Sequence, residues 1–179
     1  MTERDEGRHG LPPRRKKTAR FPAAVRNDEF LYHLHRGSSL LLEGDVHGAK
    51  VELENALAFQ PQDAKSQDLL AGVYFRLGLY PRAIEIWEEL VDAYPHEPTL
   101  RVNLGLAYFK TRQTAAAREQ LREALRDQPA HPRAWGYLGL AEWRLGHLSA
   151  ARDAFRRGGH TGMAERMEAA LVGAASAPP

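Results

Sequence analysis

The chain contains no cysteine among its 179 residues, which excludes disulfide bridges and thiolate-bound metals. It has no apolar run near the roughly 20 residues that a helix needs to cross a bilayer. Its first residues lack the apolar stretch of a secretory signal. The formal net charge of +2 is too small to indicate nucleic-acid binding by itself. A cysteine-free chain of this kind fits a cytoplasmic location, which we take as the expectation.

Motifs of catalysis are also scarce. The sequence has no cysteine nucleophile, no glycine-rich phosphate loop and no His-Glu zinc signature. His33 and His35 are two residues apart, so they point to different sides of a helix and are poorly spaced for one metal ion. The adjacent acids Glu88 and Glu89 fit a solvated helix face. We therefore expect no enzymatic activity, no metal and no cofactor. The histidines that fall in expected turns or helix starts are His47, His131, His147 and His160.

The dominant feature of the chain is an internal repeat with a period of 34 residues. Alignment on the prolines gives four contiguous units without insertions: 30–63, 64–97, 98–131 and 132–165. A fixed period of this size indicates one supersecondary unit repeated in an array. Small residues recur at two positions of every unit. Position 8 is Gly37, Ala71, Gly105 and Gly139, and position 20 is Ala49, Ala83, Ala117 and Ala151.

Each unit reads as two helices. Small residues at positions 8 and 20 allow the two helices to approach closely. A glycine at position 15 ends the first helix in three units, with Arg112 in the other, and a proline at position 32 follows the second helix in three units. Asn27 or Asp28 is the expected cap of the first helix. The predicted pairs are 28–43 with 46–59, 64–77 with 80–93, 98–111 with 114–127, and 132–145 with 148–157.

These residues closely resemble the tetratricopeptide repeat family in length and pattern. The resemblance covers roughly three quarters of the chain. It implies an all-α fold, a right-handed α-solenoid of four helix-turn-helix repeats plus a C-terminal capping helix. It also implies a concave groove that binds a peptide or another protein. The resemblance does not name that partner.

The two ends differ from the repeats. Residues 1–29 are rich in proline and charge and are expected to form a disordered arm. Gly158 and Gly159 stand where units one and three have Ala-Leu, so the last second helix should stop early. We expect a capping helix over 161–173 and a linker or frayed tail over 174–179. The arm holds a basic cluster, read as a solvated tail, with nucleic acid, anionic membrane or an acidic protein as the alternative contacts: Arg14, Arg15, Lys16, Lys17 and Arg20.

The candidate binding surface is the inner side of the first helix of each unit. Positions 2, 5, 6, 9, 12 and 13 share one arc at about 100° per residue, and the resemblance implies that they line the groove. Position 12 is apolar in every unit and aromatic in three, while position 13 is basic in three. The predicted groove residues are Leu34, Leu69, Phe75, Arg76, Val102, Asn103, Leu106, Phe109, Lys110, Arg133, Tyr137, Leu140, Trp143 and Arg144.

We expect this groove to bind an extended or helical peptide with apolar anchors and nearby acidic residues, in the manner of an adaptor or scaffold. Packing of the aromatic row beneath neighbouring helices is the alternative. One branch of the family grips the terminal carboxylate of chaperone tails. Asn103 and Arg133 match that pattern, whereas Asp68, Gly72 and Tyr137 depart from it, so we do not expect that activity.

Two further functions remain open from the sequence. The chain resembles the small tetratricopeptide chaperones of bacterial secretion systems, which bind a client subunit. The first unit is also unusually apolar, which favours a homo-oligomer formed through that repeat. Frequent Arg, Ala and Gly suggest a GC-rich bacterial genome. The apolar residues of the first unit are Leu31, Leu34, Leu41 and Leu42.

Overall fold

A computed structural model describes residues 23–175, which form nine α-helices and, within that range, no strand. The basic cluster of the predicted arm and residues 176–179 lie outside the described range. Each helix packs mainly against the helices before and after it in the chain, which is the linear stacking of a solenoid. The all-α prediction is confirmed. The helices are α1 Ala23–Glu43, α2 Val46–Phe59, α3 Ala64–Arg76, α4 Tyr80–Ala93, α5 Pro98–Lys110, α6 Thr114–Asp127, α7 Pro132–Arg144, α8 Leu148–Arg157 and α9 Thr161–Ala175.

The first helix begins earlier than the sequence predicts. α1 starts at Ala23, so Asn27 and Asp28 lie inside it and the predicted cap is wrong. Alanine and arginine are strong helix formers, and the segment from Ala23 to Arg26 extends the helix N-terminally. The side chain of Asn27 instead accepts a hydrogen bond from Nε2 of Gln60, at 3.3 Å. This bond ties the start of α1 to the end of α2.

The turn inside each repeat uses one residue with positive φ at position 15. Gly78 has φ of 75°, and the next amide, of Leu79, donates to the carbonyl of Tyr74 at 2.8 Å. This is the hydrogen-bond pattern that closes a helix with a left-handed residue. Arg112 adopts the same conformation, with φ of 64°, although it has a side chain. The predicted ends of the first helices are therefore correct to within about one residue.

Consecutive repeats are joined by side chains twenty residues apart. A residue at position 11 of one first helix meets a residue at position 25 of the preceding second helix. We call these contacts the boundary pairs. In two of them a tyrosine hydroxyl donates to a glutamate, and in the third an arginine donates to a glutamate. They are Tyr74 with Glu54 at 2.9 Å, Tyr108 with Glu88, and Arg122 with Glu142 at 2.7 Å.

The C-terminal end departs from the repeat because α8 is short. It has 10 residues, whereas α2, α4 and α6 have 14 each. Gly159, with φ of 75°, closes it, and the amide of His160 donates to the carbonyl of Phe155 at 2.8 Å. α9 then packs on α8, where Ala164 and Met167 bury Phe155. This is the predicted capping helix, and it extends to Ala175.

Candidate functional site

The first helices of the repeats, α1, α3, α5 and α7, lie side by side and contact one another directly. We call the surface that carries their predicted arc positions the inner face. Because the second helices pack behind them, the inner face is continuous from repeat to repeat. The fold therefore brings the predicted groove residues onto one surface. Their exposure decides which of them a ligand can touch.

Two of the predicted groove residues are buried. Leu34 is 6% exposed and Val102 is 1% exposed. Both stand at position 5, and Val102 packs in one cluster with Ala134 and Leu138 of the following first helix. The next repeat thus covers this position. Leu34 and Val102 support the inner face from beneath, which corrects their prediction as surface contacts.

An apolar strip remains accessible along the inner face. At position 12, Phe75 packs edge-on against Tyr80, with ring centroids 5.2 Å apart, and is half-buried. Phe109 is half-buried as well, and Trp143 is 43% exposed. Exposure of the aromatic row is therefore greatest in the last repeat. The half-buried residues that continue the strip are Leu69, Leu106, Tyr137 and Leu140.

The residues of the basic row at position 13 differ in whether their side chains contact the preceding repeat. Arg144 stacks its guanidinium over the Phe109 ring, 3.6 Å from the centroid, and donates to the Phe109 carbonyl at 2.8 Å. Arg76 reaches the carbonyl of Leu41 in the same register, at 3.5 Å. The Lys110 side chain is exposed and makes no hydrogen bond or ion pair within residues 23–175. Lys110 is therefore the member of the row whose charge is fully available to a ligand.

Asn103 is engaged by an acid of its own chain. Asp68 accepts from Nε1 of Trp87 at 2.7 Å and from Nδ2 of Asn103 at 3.4 Å. This pair was not predicted from the sequence, although a buried tryptophan N–H usually needs an acceptor and that need is a usable signal. The arrangement places a carboxylate on the inner face between α3 and α5. It disfavours a ligand carboxylate at that point.

A cleft of about 270 Å³ opens at the C-terminal end of the inner face, between α7 and α9. We call it the α7–α9 cleft. Three of its residues, on α7, were predicted from the repeat pattern. The other four were not predicted. Three of these four depend on where α8 ends and α9 begins, which the repeat pattern does not give. The cleft is lined by Arg133, Gly136, Tyr137, Leu140, Phe155, His160 and Met163.

The apolar residues of the first repeat divide into two pairs. Leu42 is 91% exposed and Leu31 is exposed, whereas Leu34 is buried and Leu41 is half-buried against the core. Homo-oligomerisation through this repeat remains a prediction.

In the part of the chain that the structure describes, no cluster of three histidine or acidic side chains is arranged to hold a metal ion. No helix there is both long and apolar enough to span a membrane.

Comparison with known proteins identifies the family. The tetratricopeptide repeat profile matches residues 34–98 and 102–159. The chain belongs to the tetratricopeptide repeat family. Among curated relatives, it is similar to RNA polymerase II-associated protein 3 of Rattus norvegicus, 30% identical over 118 residues, and it spans 17% of that protein's length. It is also similar to the cytochrome c-type biogenesis protein CycH of Rhizobium meliloti, 31% identical over 63% of this chain and 30% of that protein.

Solved structures of similar fold include one that supports only the fold and one that was solved with a bound peptide. MamA of Desulfovibrio magneticus RS-1 superimposes with a TM-score of 0.71 at 21% identity, covering 78% of this chain and 79% of that one. The first tetratricopeptide segment of Spaghetti (RPAP3) superimposes with a TM-score of 0.59 at 25% identity, covering 62% of this chain and 94% of that one. The latter was solved bound to the HSP90 peptide SRMEEVD. The first similarity supports the fold alone.

Proposed function

We propose that this chain is a non-catalytic protein-interaction scaffold whose inner face binds a peptide segment with apolar anchors and adjacent acidic residues. The observation that carries the proposal is the apolar strip beside cations that lack an acidic partner within residues 23–175. Lys110 next to Phe109 is the central example. Apolar side chains of a ligand would gain from burial on the strip, and its acids would pair with these cations.

A related complex supports a peptide as the ligand. The tetratricopeptide segment of RPAP3 holds a peptide that contains both apolar and acidic residues. In this chain Asp68 already occupies the side-chain amide of Asn103. A bound peptide would therefore depend on its internal acids and apolar side chains more than on a terminal carboxylate. This difference makes SRMEEVD a useful comparison peptide.

The proposal is tested by selecting peptides from a random dodecamer phage library on the immobilised protein. Enriched sequences should carry Leu, Ile, Met or Phe within about two residues of Asp or Glu. Binding of the best peptide is then measured by fluorescence anisotropy, with SRMEEVD in free and amidated forms alongside. Amidation should leave the affinity of SRMEEVD nearly unchanged.

Two variants locate the site. Changing Phe109→Ala and Lys110→Glu together should weaken the selected peptide by at least about tenfold, since an anchor and its neighbouring charge are both lost. The matched control is Arg126→Glu on α6, a second helix, which makes the same charge change away from the inner face. Circular dichroism checks that both variants remain helical. Undiminished binding by the double variant would reject the inner face as the site.

A further inference from the structure

The α7–α9 cleft differs from the rest of the inner face at position 5. The first three repeats carry a side chain there, Leu34, Asp68 and Val102, and the fourth has Gly136. A Cβ atom at Gly136 would collide with Nε2 of His160. The missing side chain therefore makes room for the imidazole, which comes from the turn before α9. In the first three repeats, position 5 keeps its own side chain and no imidazole from a later turn takes its place.

A second glycine also leaves room for the same imidazole. A Cβ atom at Gly158 would lie 2.9 Å from Cδ2 of His160 and 2.8 Å from Cβ of Trp135. The His160 ring also meets Phe155 edge-on, with centroids 6.2 Å apart. Because α8 ends early, α9 packs on α8 and makes little contact with α7. The cleft is thus a consequence of specific residues at the cap and is absent from the repeat pattern.

The walls of the cleft are apolar and its rim is cationic. Phe155 forms the floor, and Tyr137, Leu140 and Met163 form the sides. Arg133 is exposed at the rim, with its guanidinium 6.0 Å from the Tyr137 ring centroid, and has no carboxylate partner in the described range. The cleft has a volume of about 270 Å³. That space suits one large apolar side chain.

We propose that the α7–α9 cleft binds one large aliphatic or aromatic side chain of the partner peptide, with a neighbouring Asp or Glu of that peptide pairing with Arg133. The inference rests on the proposed function of the inner face and adds a specific pocket to it. The occupant is an acidic peptide because two cations beside the apolar surface, Arg133 and Lys110, have no carboxylate partner within residues 23–175.

Three matched synthetic peptides test this pocket by NMR titration of the nitrogen-15-labelled protein. The probe is acetyl-Gly-Ser-Asp-Leu-Asp-Ser-Gly-amide. One control replaces both Asp by Asn, and the other replaces Leu by Ala. The probe should shift the amide signals of Tyr137 and Met163, and each control should bind at least about fivefold more weakly. Equal binding of all three peptides overturns the proposal.

Two variants separate this pocket from the wider groove. Arg133→Glu removes the rim charge, and Met163→Trp fills the cleft; each should reduce affinity for the probe by about fivefold or more. The matched control is Lys65→Glu, an exposed lysine at position 2 of the second repeat, the position that Arg133 holds in the fourth. Arg133→Glu keeps the test decisive if the tryptophan variant does not fold.

The outcomes distinguish the two proposals. Signals that shift on α3 and α5 but not on α7 or α9 overturn the cleft and leave the proposed function intact. Shifts on α7 and α9 that survive the Phe109 and Lys110 double change support the cleft and remove the central groove as the main site. Shifts that depend on protein concentration without peptide would instead assign the cleft to a second copy of this chain and overturn the proposal.

Discussion

The first two repeat boundaries are joined by tyrosine–glutamate hydrogen bonds, whereas the third is joined by an arginine–glutamate ion pair at the same two positions of the repeat. Tyr108 donates its hydroxyl to Glu88, and the preceding boundary has the same tyrosine–glutamate arrangement. At the third boundary the acid has moved to position 11. Glu142 is 2% exposed and contacts Arg122 and His147, each at 2.7 Å.

The difference lies in what is buried. A phenol is neutral and loses little free energy when it leaves water with its hydroxyl hydrogen-bonded. An ionised carboxylate loses much more, and the loss is offset only while its charged partners stay in place. The third boundary is therefore the one whose stability is most sensitive to the loss of one member of its pair. The short distances in the Glu142 ion pair therefore do not by themselves measure how much it contributes to the free energy of unfolding.

The largest expected effect follows from removing Arg122. Arg122→Met should lower the free energy of unfolding by about 2–3 kcal/mol, because Glu142 stays buried with His147 as its remaining partner. Urea denaturation followed by circular dichroism measures the change. The control is Arg126→Met, one turn along α6, where the surface pair with Glu123 contributes at most about 0.5 kcal/mol. Equal effects of the two substitutions would contradict this view of the third boundary.

A smaller effect, with a pH signature, is expected at the second boundary. Burial, together with the hydrogen bond to Glu88, raises the pKa of Tyr108 to about 12. The unfolded pKa of tyrosine is about 10, so the hydroxyl's contribution to stability is complete below that pH and is lost as the pH rises towards the folded value. Tyr108→Phe should destabilise by about 0.5–1 kcal/mol near neutral pH.

The stability difference between the wild type and Tyr108→Phe should therefore narrow as the pH rises from about 8 to about 11. Urea midpoints at the two pH values give that difference, and the comparison cancels the titration of all other groups. The pKa of Tyr74 is raised as well, by burial and by Glu54, so Tyr74→Phe should behave in the same direction. A difference that stays constant with pH would show that the hydroxyl does not contribute as its contacts indicate.

Much of the fold was predictable because the repeat carries local signals. The bounds of α4 were predicted as 80–93 and match Tyr80–Ala93, since a positive-φ glycine and a proline stand beside the helix. The start of α1 was not predictable in this way. No earlier repeat supplies a matching turn, and helix propensity alone extends it to Ala23.

The candidate site was predictable in part, for a different reason. Helical periodicity places residues on a face, but it does not give the distance to the next first helix. Val102 is buried because α7 approaches it, whereas Gly136 lies at the edge of a cleft because α9 packs elsewhere. The Glu142–Arg122 exchange was visible in the aligned repeats. Glu142 stands where the second and third repeats have a tyrosine, and Arg122 stands where the first and second have a glutamate. Its burial depended on packing.

The smallest expected effect comes from rebuilding the third boundary in the chemistry of the first two. Arg122→Glu alone should destabilise, because the new carboxylate would face the buried carboxylate of Glu142. Combining it with Glu142→Tyr recreates the tyrosine–glutamate pair, and His147, half exposed, can be hydrated when its acceptor is lost. The double variant should lie within about 1 kcal/mol of the wild type, with a coupling energy of about 2 kcal/mol or more in the double-mutant cycle by urea denaturation. Additive losses would mean that the position, and not the pairing, requires the native residues; a large coupling would establish that either chemistry can close a boundary between these repeats.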